Sequence, residues 1–115
     1  MVKKSGRAKV VSRKVVVQKL NEVIDELKNE IPVDIIYLYG SYASGRPGPH
    51  SDVDVMVVSP AFGKDLIQET VFLMELFEKT GLMVEPRAYS RDEFLQARPG
   101  TFLYEEVIQK GHRLL

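Results

Sequence analysis

Residues 51–59, Ser-Asp-Val-Asp-Val-Met-Val-Val-Ser, constrain the fold more than any other stretch of this chain. Five of the six residues from Val53 to Val58 are apolar and four of those are β-branched, the composition of a strand. Side chains alternate along a strand, so Asp52 and Asp54 project from one side, about 7 Å apart. Val53, Val55 and Val57 take the other side, which is therefore a core face for helices to cover. Two like charges at a strand head repel each other, and each resists desolvation. One resolution is a solvated pair; the other is a divalent cation, because Mg²⁺ selects hard oxygen ligands.

The rest of the chain must supply that core. Residues 1 to about 11 read as a loose basic arm, and 12–115 as a single domain. Ser12 is a plausible N-cap for a helix running through about Asn29, with Val16, Leu20, Val23, Ile24, Leu27 and Ile31 at helical spacing. Pro32 ends it. The segment Asp34–Gly40 reads as a strand buried on both faces. Ser41–Gly45 is a short turn or a single helical turn, and Arg46–His50 a loop forced by two prolines and a glycine.

After the aspartate-headed strand, Leu66, Ile67, Val71, Leu73, Met74 and Phe77 give a second helical stripe, with Gly81 placed to cap its end. Leu82–Ser90 is a third strand, and Pro86, which has no ladder donor, puts it at an edge or makes it irregular. Ser90 can cap a short helix from Arg91, and Phe102–Lys110 fits a last helix before Gly111. The order of elements describes a small α/β or α+β domain.

Composition limits what such a domain does. No cysteine is present, so disulfides and thiolate metal sites are excluded, and reducing cytoplasm is the expected location. No apolar run approaches a membrane span and none near the start resembles a signal peptide. Net charge is zero but unevenly spread. Residues 1–21 hold Lys3, Lys4, Arg7, Lys9, Arg13, Lys14 and Lys19 and no acid, leaving nine basic against sixteen acidic residues, a net of −7, in the remainder. A body of that sign argues against broad nucleic-acid binding, which depends on phosphate neutralisation. The basic arm reads as a solvated tail, or as a contact for an acidic partner.

Two features besides the aspartates point toward chemistry. Gly40-Ser41 directly follows a buried strand and opens a helical turn, where free backbone N–H groups suit a phosphate and glycine permits close approach. An ordinary turn is the competing reading. Glu85 shares a face of the third strand with Met83, Arg87 and Tyr89, and a mid-strand acid needs a partner. That partner is either a metal shared with the aspartates or simply Arg87. His50 reads as a surface residue, His112 belongs to no ligand pattern, and Tyr37 and Tyr39 read as core.

Gly40-Ser41, ten residues, Asp52, one residue, Asp54, then an acid on a later strand: this combination resembles the nucleotidyltransferase superfamily of DNA polymerase beta. It looks most like the minimal nucleotidyltransferases, the MNT-type domains paired with HEPN proteins. The resemblance covers about Ile35 to Tyr89 and, less distinctly, the C-terminal helix. It implies a small mixed β-sheet with helices packed on one face. It implies that Gly40 and Ser41 hold nucleotide phosphates, and that Asp52, Asp54 and Glu85 are the catalytic and metal-binding carboxylates for two Mg²⁺ ions. Tyr42 stands where many relatives carry arginine, and Arg46 is the candidate replacement contact to the nucleotide. The implied function is transfer of a nucleoside monophosphate, AMP from ATP, to a hydroxyl on a HEPN-type toxin, with this chain as antitoxin. The alternatives are an inactive antitoxin that masks its partner sterically, and a small-molecule transferase of the aminoglycoside type.

Overall fold

A computed structural model describes residues 11–48 and 51–115. The arm with Lys3, Lys4, Arg7 and Lys9, and the His50 reading, lie outside the described residues. Helix α1 spans Arg13–Glu30 and starts where expected, the Ser12 hydroxyl accepting from the Val15 amide at 3.3 Å. Its stripe Val16, Leu20, Val23, Ile24 and Leu27 is buried. Strand β1 is Ile35–Tyr39, α2 the single turn Ser41–Ser44, and β2 Val53–Ser59. Helix α3, Leu66–Phe77, carries the chain over to β3, Val84–Ser90. Short α4, Arg91–Leu95, follows, opened by a capping box in which Ser90 and Glu93 bond each other's backbone amides.

The sheet runs β3-β2-β1-β4. Strands β1 and β2 are antiparallel, while β2 and β3 are parallel and joined through the α3 crossover. Strand β3 lies at the edge, the position Pro86 requires. Strand β4 is only His112–Arg113, paired to β1 at Leu38 and Tyr37. No sequence pattern announces so short a strand. It forms because Gly111 lets the chain return against β1: a Cβ there would collide with the Val107 carbonyl and crowd Tyr37 and the Leu38 carbonyl.

Both long helices pack on one face, against Ile36, Leu38, Val53, Val55 and Val57. Helices are not confined to that face, which corrects the expectation. On the other, Tyr37, Tyr39, Met56 and Val58 are covered by Phe94 of α4 and by Leu103 and Val107 of α5, Leu103–Ile108. The physical reason is that β1 and β2 are apolar on both sides and need two covers. The expected last helix is present but wound as a π-helix, with the Gln109 amide donating to the Tyr104 carbonyl at 2.9 Å.

A second correction concerns α3. Of its expected core stripe only Leu73 and Phe77 are buried, joined by Leu76. Leu66, Ile67, Val71 and Met74 are exposed, Ile67 at 75%. A helix apolar on most sides buries only the face its sheet can cover. Exchanging Ile67 and Met74 for serine is therefore expected to change stability by no more than about 1 kcal/mol. Leu73→Ala should cost about 2–5 kcal/mol. Urea unfolding of these variants checks the assignment, and equal losses would overturn it. Among the described residues no helix is long and apolar enough to cross a membrane.

Candidate active site

Pairing register builds the site. Asp54 lies opposite Tyr39 on one side and opposite Glu85 on the other, so the three side chains share one face at the mouth of the sheet. Asp54 is the one residue of β2 that is not buried. Its neighbours explain why it resists ionisation: burial pushes the carboxyl up from the ordinary 3.8, and the charges of Glu85 and Asp52 push it further, with Arg87 pulling the other way. Sequence spacing placed Asp52 and Asp54 together. Glu85, the third carboxylate that the resemblance implies, is brought beside Asp54 by a strand pairing that spacing cannot show.

Glu85 is not the partner of Arg87. It is exposed, and no ion pair joins the two among the described residues. The Arg87 guanidinium instead lies 4.8 Å from the centre of the Phe102 ring, and that ring meets Tyr39 edge-on at 5.9 Å and 83°. Tyr39 is pushed up to about 12, chiefly by burial, with Arg87 lowering it and Asp54 raising it. Arg87 is thus seated on an aromatic pair rather than collapsed onto the acids.

Gly40 closes the other side of the site. It adopts φ 75° and ψ −150°, a conformation essentially confined to glycine, and a Cβ there would collide with Asp54 Oδ2. The Gly-Ser turn therefore lies directly on the Asp54 carboxylate. The Gly40 carbonyl accepts from Ala43 and Ser44, while no partner for the Ser41 and Tyr42 amides is found among the described residues. From below, the Arg13 guanidinium donates to the Ala43 carbonyl at 3.0 Å and ties the turn to α1, a contact with no signal in the sequence. The Tyr42 side chain is buried in the core. Arg46 is exposed just past α2, and its side chain makes no hydrogen bond or ion pair among the described residues. A cleft of about 500 Å³ opens beside Gly40, lined also by Ser44, Glu106 and Lys110.

The donor set suits Mg²⁺. It consists of carboxylates, and one of them is held against like charges that a cation would neutralise. Among the described residues no three acidic or imidazole side chains converge closely enough to hold a metal by themselves. Mg²⁺ does not require that, since it is ordinarily held by one or two carboxylates completed by water and substrate phosphates.

A family model described as a nucleotidyltransferase domain matches residues 20–111. Among solved structures, a toxin–antitoxin complex with AMP-PNP aligns at 25% identity and a TM-score of 0.60, covering 86% of this chain and 72% of its counterpart. A mutant MntA–HpeT toxin–antitoxin complex aligns at 30% identity and a TM-score of 0.54, covering 84% and 71%. A tri-AMPylated HEPN toxin from Shewanella oneidensis in complex with its MNT antitoxin aligns at 24% identity and a TM-score of 0.56, covering 85% and 70%. No curated protein matches the sequence.

Proposed function

Because this chain belongs to the nucleotidyltransferase domain family, we propose that it transfers AMP from ATP to a hydroxyl on a HEPN-type protein and so acts as its antitoxin. The observation that carries this reading is Asp54 held in register with Glu85, with the Gly40 backbone packed on its carboxylate. Similarity to complexes that contain AMP-PNP and an AMPylated HEPN toxin supports the choice of nucleotide and acceptor.

In this reading the acceptor oxygen attacks the α-phosphorus, a new P–O ester bond forms, and the bond to the bridging oxygen breaks, releasing pyrophosphate. Glu85, exposed at the sheet edge, orients the acceptor hydroxyl and takes its proton. Gly40 and Ser41 hold the phosphates through backbone amides and the serine hydroxyl. Asp52, Asp54 and Glu85 would hold two Mg²⁺ ions, which when bound lower the acceptor's pKa and neutralise the departing charge. The chain itself contributes positioning and electrostatics more than covalent chemistry.

The test uses ATP labelled at either the α or the γ phosphate, incubated with the chain, Mg²⁺ and a HEPN partner. Label should move to the partner from the α position only, and disappear with Asp52→Asn. Transfer of γ label, or of none, would contradict nucleotidyl transfer to this acceptor.

A further inference from the structure

We propose that Lys110 grips the polyphosphate tail of the bound nucleotide by exchanging its partner Glu106 for phosphate, so that the site prefers triphosphate to monophosphate. This rests on the nucleotidyl-transfer reading and deepens it.

Among the described residues, Lys110 is the one cation lining the cleft beside Gly40. Gly40 lines this cleft and also lies directly on the Asp54 carboxylate, so that one residue links the cleft to the place where the α-phosphate would react. Arg46, the cation that sequence spacing singles out, does not line it. The backbone beneath Lys110 is well anchored. Leu103 and Val107 of α5 are buried against the sheet, the Gly111 amide donates to the Val107 carbonyl at 2.7 Å, and His112 pairs with Leu38. A fixed Cα and a four-carbon flexible stem let the ammonium sweep the cleft without moving the fold.

Its present partner is weakly held. Lys110 Nζ lies 3.1 Å from Glu106 Oε2 one helical turn back, with the two side chains 67% and 50% exposed. Such a pair contributes little and is screened by salt. A triphosphate brings several negative charges to the same cleft and displaces the carboxylate, giving a charge-assisted contact stronger than the one it replaces. Glu106 thus keeps Lys110 neutralised until polyphosphate arrives, and competes with it. The pair sits 50 or more residues beyond the Gly-Ser and Asp-x-Asp segments, so only the fold brings it to them.

Calorimetric titration of the full chain with ATP and with AMP, both with Mg²⁺, tests this. Lys110→Ala should weaken ATP binding about tenfold, the scale of one lost charged hydrogen bond, and leave AMP binding unchanged. Lys110→Arg should retain most of the ATP affinity, and Glu106→Gln should tighten it a few-fold. Native-like ATP binding by Lys110→Ala would overturn the inference while leaving the transferase reading intact. Equal loss for ATP and AMP would show a merely structural effect and also overturn it. Absence of ATP binding by the native chain would remove both.

Discussion

Asp54→Asn is expected to abolish transfer and to stabilise the protein at the same time. The carboxylate is unfavourable where it stands: burial raises its pKa first, and the charges of Glu85 and Asp52 add to that. It accepts no hydrogen bond from the described residues, so the amide forfeits none. A carboxyl whose folded pKa lies above its unfolded value contributes stability below the unfolded pKa and loses it as pH rises through the folded pKa. At neutral pH native Asp54 is therefore on the losing side, and asparagine removes the penalty. The variant should melt higher than the native chain at pH 7, with the difference closing on acidification toward the ordinary 3.8. Transfer should fall on the order of 10³-fold, since preorganised charge at the reacting phosphate is lost. Opposite signs for stability and activity are the signature of a functional carboxylate. A melting point unchanged or lowered at pH 7 would show that Asp54 is not under electrostatic stress.

Gly40→Ala should cost both stability and activity. Its φ of 75° with ψ of −150° is strained for any residue bearing a Cβ, about 1–3 kcal/mol. The added methyl would also meet Asp54 Oδ2, and the carboxylate must move away to admit it. Gly45→Ala separates the two effects. Gly45 has φ 81° in the left-handed region with nothing near its missing Cβ, so alanine there should cost about 1–2 kcal/mol and leave the carboxylate alone. Thermal unfolding should register both variants, and transfer only the first. Equal transfer by both would mean that the Gly40–Asp54 approach has no bearing on the chemistry.

What could be read without coordinates follows from what is local. Helix α1, strand β2 and the capping box at Ser90 rest on short-range spacing and capping chemistry, and each stands where the residues indicate. Asp52 and Asp54 are likewise a matter of alternation along one strand. Strand register is not local. That Glu85 faces Asp54, rather than pairing with Arg87, depends on the parallel ladder that follows the α3 crossover. Phe102, which seats Arg87 in the fold, is fifteen residues further on with no pattern linking them. The exposed side of α3 is not legible in the sequence because periodicity says which residues share a stripe but not how wide a face the sheet can cover. Strand β4 and Lys110 depend on where the chain's last turn returns to β1, which Gly111 permits but does not announce.

In the proposed function, the carboxylates at the mouth of the sheet and the Gly-Ser turn form one Mg²⁺-dependent nucleotide site. Calorimetric titration of ATP into the chain with and without Mg²⁺, repeated on the Asp52→Asn/Asp54→Asn double variant, tests it most directly. Binding by the native chain should require the metal and disappear when both aspartates are replaced. ATP binding of equal strength without Mg²⁺, or undiminished in the double variant, would contradict it.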